Sequence, residues 1–345
     1  MKKLLLGIAA VCLAGFTFAQ DAPLWMRHSV ISPDGTTIAF TYKGDIYTVP
    51  VAGGRAMQIT TNPAYDTAPV WSPDSKRIAF ASDRMGSLDV YIVAKDGGEP
   101  RRLTTHSGSE TPLAFTDAGH VLFSAGIMPS AEAVVFPSNG QFNQVYRVSV
   151  EGGRPTMISS MPMECISINK EGAMLYQDKK GYEDYWRKHH VSPIARDIWM
   201  YTPGKEPQYR QLTTFGGEDR EPVWAPDGKT FYYLSEENGS FNIYRRTPGD
   251  AKAVQLTHYT KNPVRYLSAA TDGRLCYGFD GEIYTLLPGG EAQKVNISIV
   301  SDRNDKDIIR QIKSSGATEM AVSPDGKEVA FVLRGDVYVT SVEYK

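Results

Sequence analysis

Cysteine is scarce in this chain. Cys12, Cys165 and Cys276 are the three among 345 residues, too few and too widely spaced for a disulfide framework. The two beyond the leader are expected to be buried small hydrophobes. An excess of one charge sign is also missing. There are 37 basic and 39 acidic residues, a formal net charge of -2, which gives no electrostatic case for binding nucleic acid or an anionic membrane. Long apolar runs are confined to the start. Lys2 and Lys3 precede the apolar stretch Leu4 to Phe18, and Thr17-Phe18-Ala19 closes it. That order reads as a cleaved signal peptide over residues 1–19. The stretch is shorter than the roughly 20 residues that span a bilayer. The mature chain is therefore expected to be exported, periplasmic or secreted from a bacterium, with no membrane span.

Local catalytic signatures are absent as well. The sequence holds no Gly-x-Ser-x-Gly, no His-Glu-x-x-His, no Gly-x-Gly-x-x-Gly, no P-loop and no Cys-x-x-Cys. No catalytic residue, metal ligand or cofactor site is expected on that ground. His189 and His190 are adjacent, so their side chains need not converge on one metal, and they read as solvated loop residues. Glu110, Glu132, Glu164, Glu218 and Asp219 are candidates for paired carboxylates, but their spacing pairs none of them.

What is present is a repeat. Glycine (31), proline (21) and tyrosine (19) are frequent, a composition of short strands and tight turns. The unit opens with an apolar residue and Ser-Pro-Asp-Gly or a relative. An alternating run, a second strand containing Ile-Tyr or Val-Tyr, a Gly-Gly pair and a short segment ending Leu-Thr complete it. Copies start near Val30, Val70, Phe115, Ile168, Val223, Ala270 and Val322. Pro-Asp-Gly is a turn signal, because Pro presets φ, Asp bonds the local backbone and Gly accepts positive φ. The same role accounts for the repeated Asp without calcium. Neighbouring copies are spaced by 40 residues (Asp34 to Asp74), 43 (Asp74 to Asp117), 45 (Asp227 to Asp272) and 53 (Asp272 to Asp325). Such periods with four strands predict an all-β β-propeller of four-stranded antiparallel blades, six complete repeats plus a partial seventh. The expected boundaries are a six-blade propeller over 20–297, a charged linker over 298–318 and an incomplete further blade over 319–345. One way to close the ring is for Leu24 to Val30 to add an outer strand to the last blade.

Two insertions interrupt the pattern. Gly126 to Phe142 in the third copy is expected to lie over one mouth of the ring. Lys179 to Arg196 in the fourth copy carries Tyr182, Tyr185, Trp186, Arg187, His189 and His190. Loops inserted into repeats tend to sit on a binding face, and these residue types suit a contact surface. They are the candidate binding residues.

The stretch Val70-Trp71-Ser72-Pro73-Asp74, followed by Asp89-Val90-Tyr91 and Gly97-Gly98-Glu99-Pro100-Arg101-Arg102-Leu103-Thr104, resembles the repeat of TolB-like propellers. Six copies, a charged stretch and then Met320-Ala321-Val322-Ser323-Pro324-Asp325-Gly326 resemble the passage from the first to the second propeller of tricorn-type proteases. That resemblance implies the non-catalytic N-terminal part of a larger exported serine peptidase, which binds or channels peptides and whose peptidase domain lies beyond this chain. A self-contained TolB-like periplasmic scaffold for a protein partner is the alternative.

Overall fold

The computed structural model describes residues 23–126, 142–181, 191–300 and 314–343. Their regular structure is β throughout, in six four-stranded sheets whose strands pair in chain order, together with one two-stranded and one three-stranded sheet. The first blade consists of Arg27–Ile31, Thr37–Tyr42, Asp45–Pro50 and Met57–Gln58. The second holds Asp66–Trp71, Arg77–Ser82, Asp89–Ala94 and Arg101–Arg102. Blade three is Glu110–Asp117, His120–Ala125, Gln144–Ser149 and Thr156–Ser159. Blade four follows with Met163–Ile168, Met174–Asp178, Ile198–Thr202 and Gln208–Gln211. Blade five has Asp219–Trp224, Phe231–Ser235, Asn242–Arg246 and Val254–Gln255. The sixth has Arg265–Ala269, Leu275–Phe279, Glu282–Leu286 and Gln293–Lys294. The first strands of successive blades pack on one another around a closed ring, so they lie nearest its axis.

Each element of the repeat has a physical task. Within each hairpin of second and third strands, an aromatic pair stands directly opposite in register: Phe40 and Tyr47, Phe80 and Tyr91, Phe123 and Tyr146, Tyr233 and Tyr244, Tyr277 and Tyr284. Their ring centroids are 5.6–5.9 Å apart, the range of favourable aromatic contacts. The fourth blade substitutes Tyr176 opposite Trp199. Trp71 and Trp224 tie blade to blade, because each indole N–H donates to a carbonyl of the preceding blade, Val30 at 3.0 Å and Ala173 at 3.1 Å. The Leu-Thr signal is a lock. The hydroxyls of Thr60, Thr104, Thr213 and Thr257 accept the N–H of Ile46, Val90, Ile198 and Ile243, each at 2.9 Å.

The Ser-Pro-Asp turns close on themselves. The Ser72 hydroxyl donates to Asp74 Oδ1 at 2.5 Å, while Ser72 Oγ accepts the Arg77 N–H at 2.9 Å. The Ser72 hydrogen bond, against a little burial and with help from the Lys76 amide, holds the Asp74 carboxyl below its ordinary range. The same bonds recur at Ser32 and Asp34 and at Ser323 and Asp325. The turn role expected for the repeated Asp is thus explicit.

The ring closes with the four antiparallel strands of every blade drawn from one repeat. Arg27–Ile31 is the innermost strand of blade one rather than an outer strand of the last blade, so closure by Leu24 to Val30 is corrected. The reason is burial. Met26 and Ile31 enter the core shared with Ala270, Cys276, Ile283, Val295 and Ile297 of blade six and its C-terminal extension. The Ile31 N–H donates to Ser268 Oγ at 3.1 Å, and the Thr271 N–H to the Pro33 carbonyl at 2.9 Å. Ile297–Ser298 then pairs in parallel with Gly54–Arg55 of blade one. The Gly54 N–H donates to the Asn296 carbonyl and the Ala56 N–H to the Ser298 carbonyl, both at 2.8 Å.

Beyond the ring, Ala317–Val322, Glu328–Leu333 and Asp336–Ser341 form the three-stranded sheet, with Phe331 stacked on Tyr338 at 5.5 Å. It is a seventh copy of the repeat through its third strand. Its apolar residues Met320, Val337 and Val339 are 74%, 60% and 63% exposed.

Candidate functional site

The hairpins between second and third strands all open on one face of the ring, and the described ends of both insertions lie there. Tyr182, Tyr185, Trp186, Arg187, His189 and His190 lie outside the described residues, as does most of the blade-three insertion. The base of the blade-four insertion is described. Lys180 Nζ donates to the Ala195 carbonyl at 2.7 Å and pairs with Asp197 at 2.5 Å. Asp178 accepts the Asp197 N–H at 2.8 Å and the Trp199 indole at 3.0 Å. The two ends of the insertion are therefore fixed on blade four whatever lies between them.

Below that base runs a buried ionic chain. Arg196, 5% exposed, bonds Glu164 Oε2 through Nε at 3.1 Å and reaches Glu218 Oε1 through Nη1 at 3.4 Å. Glu218, at 1% exposure, receives Arg220 Nε at 2.7 Å. The Arg220 guanidinium lies over the Phe241 ring, 5.2 Å from its centroid. Gln177 donates to Glu164 at 2.9 Å and accepts the Glu221 N–H at 3.0 Å. Burial raises Glu164, but Arg196 and Lys179 outweigh it and leave the carboxyl below its ordinary value. Two of the carboxylates that spacing left unpaired, Glu164 and Glu218, are thus joined through one arginine. Glu132 lies outside the described residues.

The inner wall itself carries a second pattern. The register of all six innermost strands is interrupted by a β-bulge. In five of them the bulge holds a non-glycine residue at positive φ: His28 (48°), Ala68 (51°), Cys165 (52°), Glu221 (51°) and Tyr266 (58°). Each such residue costs on the order of 1–3 kcal/mol of backbone strain, and bulges serve to re-aim side chains. Here they all lie on the strands nearest the axis. Cys165 is exposed, which corrects the expectation of a buried thiol; it stands at the bulge of blade four's innermost strand. Cys276, on a second strand, is fully buried as expected. Enclosure by the surrounding inner strands, with the Glu221 and Glu164 carboxylates close by, holds the Cys165 thiol well above its ordinary range. Across the ring, enclosure and the Arg27 charge push His28 down to about 4. It is neutral near pH 7, with Nδ1 3.1 Å from the Thr67 hydroxyl and its ring 5.0 Å from Tyr266. Glu221 Oε2 accepts the Leu267 N–H at 2.7 Å and so links blade five to blade six. None of these bulges has a sequence signal, since no glycine marks them.

At the same end of the ring, the seam between blades two and three buries two carboxyls, Asp89 and Glu110, at 0% and 1% exposure. Arg102 Nη2 lies 2.8 Å from Asp89. Burial, reinforced by the Asp89 charge and opposed by Thr104 and Arg102, pushes Glu110 up to about 7. A carboxyl raised in the folded state keeps a proton that the unfolded chain has lost. Its stabilisation is therefore complete below the ordinary value of 4.5 and is lost as pH rises toward 7. Replacing Glu110 by Gln should remove this loss. The Tm of Glu110→Gln relative to the parent should climb between about pH 5 and about pH 8, by the equivalent of roughly 2–3 kcal/mol. A difference that stays flat in thermal melts across that window would refute the assignment.

A closed ring of radial four-stranded sheets, each opening on the axis with a bulged inner strand, is a six-bladed β-propeller. The chain belongs to the family of the tricorn protease N-terminal beta propeller domain, whose family model matches residues 23–292. It is 26% identical over 289 residues to tricorn protease homolog 1 of Streptomyces coelicolor, covering 82% of this chain and 26% of that protein. To the tricorn protease of Thermoplasma acidophilum it is 25% identical over 333 residues, 92% of this chain and 29% of that one. The crystal structure of the tricorn protease superposes with a TM-score of 0.69 at 20% identity, covering 94% of this chain and 32% of the other. The chain thus spans about a quarter to a third of the length of these relatives.

Proposed function

We propose that this propeller is the non-catalytic, peptide-handling module of an exported tricorn-like serine peptidase, and that short peptides occupy its axial channel. The observation that carries the reading is the inner wall. Five of its six innermost strands hold a strained non-glycine residue at a bulge, His28, Ala68, Cys165, Glu221 and Tyr266, and Cys165 is exposed there. Strain of that kind is sustained where a side-chain direction is used. Family membership and the coverage of about a quarter to a third of the tricorn relatives support placing the chemistry outside this module. The run Lys2 to Ala19 supports export. The exposed edges of extended peptides suit a channel that offers hydrogen-bonding groups from several blades.

The test is fluorescence anisotropy with a library of short labelled peptides on the purified chain, against a Cys165→Trp variant whose indole narrows the channel. Saturable binding that weakens at least about tenfold in the variant supports the reading. Peptides that bind both proteins equally, or neither, refute it. Capture of a folded protein without peptide binding would favour a TolB-like scaffold instead.

A further inference from the structure

The seventh-repeat sheet touches the ring through the tip of its hairpin, residues Leu333 to Asp336. Arg334 forms an ion pair with Asp83, and its guanidinium stands over Tyr65, 5.1 Å from the ring centroid. Gly335, at φ +87°, sits close against the ring. A Cβ there would sit 3.1 Å from Arg27 Nη1 and 3.4 Å from the Tyr65 hydroxyl. Asp336 is drawn into the same contact. Burial raises its carboxyl, and the charges of Arg27, Lys43 and Arg334 oppose the rise. The ring partners come from one place. Arg27 opens the innermost strand of blade one, Tyr65 immediately precedes that of blade two, and Lys43 and Asp83 sit on the adjoining hairpins. Asp83 Oδ1 also accepts the Tyr65 N–H at 2.8 Å, so the receiving surface is itself braced. This surface is the rim of the channel on the face that carries both insertions.

We propose that Leu333–Asp336 is a polar clasp seated on the blade-one and blade-two rim, and that it gates this mouth of the axial channel. The occupant is a segment of this chain, and its charges match those of the rim. Arg334 pairs with Asp83, and the Asp336 carboxyl stands in the field of the Arg27 and Lys43 charges. Opposite charges on the two residues that flank Gly335, placed against opposite charges on the rim, fix one orientation of the tip and disfavour others. The contact is small and partly solvated, with Arg334 and Asp83 about 30% and 26% exposed. Such a contact is worth little in isolation, which suits a clasp that must open.

The channel holds its own reporter. Cys165 is exposed on the inner wall of blade four, across the ring from the clasp, while Cys276 is sealed in the core between blades six and one. In the full chain carrying Cys12→Ser, a bulky polyethylene-glycol maleimide should label Cys165 slowly. Arg334→Glu with Asp336→Lys should raise that rate at least about fivefold, while N-ethylmaleimide, being small, should change less than about twofold. Exchanging the pair as Asp83→Arg with Arg334→Asp should restore the slow rate. Equal bulky-probe rates in the parent and the clasp variant, or a swap that leaves the rate high, would overturn the gate. Cys276 must stay unlabelled throughout. Where it reacts, the milder Asp336→Asn is read in place of the double variant, with a rise of at least about twofold expected and no rise overturning the gate. The gate rests on the channel being a passage, and the thiol probe needs no peptide. A rate indifferent to the clasp sinks the gate alone, whereas failure of the peptide-binding assay sinks the passage reading.

Discussion

Glu218→Ala should lower the stability of the propeller by about 3–5 kcal/mol. Glu218 is 1% exposed and lies between two guanidiniums, Arg220 at 2.7 Å and Arg196 at 3.4 Å. Arg220 is itself 2% exposed and Arg196 5%. Removing the carboxylate takes the shared anion from between two buried guanidiniums and leaves Arg196 with Glu164 as its carboxylate, a greater cost than the net worth of the original pairs. For a ring of this size the loss corresponds to a fall in Tm on the order of 10 °C. Glu218→Gln keeps the shape and a hydrogen-bond acceptor, so its fall should be smaller but in the same direction. The damage should be local as well. Hydrogen exchange should quicken first at the Asp219 amide, which donates to the Arg196 carbonyl at 3.0 Å. A loss below about 1 kcal/mol in denaturant melts would mean that the chain of Glu164, Arg196, Glu218 and Arg220 is a solvated decoration rather than a buried support.

Gly53→Val should open the ring at its seam. Gly53 has φ +85°, and a Cβ there would lie 2.5 Å from the Asn296 carbonyl oxygen and 3.2 Å from its nitrogen. Both are backbone atoms and cannot rotate aside. The matching residue of blade two is Gly97, with φ +89° and its nearest obstacle, the Ile59 carbonyl, 3.9 Å away. Gly97→Val therefore costs only the left-handed backbone, about 1–3 kcal/mol. Gly53→Val adds an overpacking cost of about 1–3 kcal/mol. The specific readout is hydrogen exchange at the Gly54 and Ala56 amides, which donate to the Asn296 and Ser298 carbonyls. They should lose protection in Gly53→Val and keep it in Gly97→Val. If the two variants melt together with those amides equally protected, the parallel pairing is not what holds the seam.

The blades were legible because their signals are local. Ser72, Asp74, Phe80, Tyr91 and Thr104 each contact something within their own repeat, so their spacing recurs and can be read. The inner wall was illegible for the opposite reason. His28, Cys165, Glu221 and Tyr266 hold positive φ without glycine because tertiary contacts between blades impose it. The carboxylates show the same limit. Glu164 and Glu218 are 54 positions apart in sequence and meet only because Arg196, at the foot of an insertion, reaches under it to both. Ring closure was open to more than one reading because the turn chemistry near Arg27 is equally compatible with an inner or an outer strand. Its position is decided by the apolar side chains of Met26 and Ile31, which only blade six can cover.

Because every blade is a contiguous stretch of chain, its four strands can pair as soon as they emerge, with no partner owed from the far terminus. Contacts of short sequence separation form quickly, and chains of this length tend to assemble unit by unit. One event must wait. The core joining Ile31 and Ile38 to Cys276 and Ile297 spans almost the whole chain, and so does the two-residue parallel bridge. Until that seam shuts, blade one presents an uncovered apolar flank. The meeting of the first blade with the last is therefore the expected slowest step of folding, and the interval in which a chaperone has most to protect.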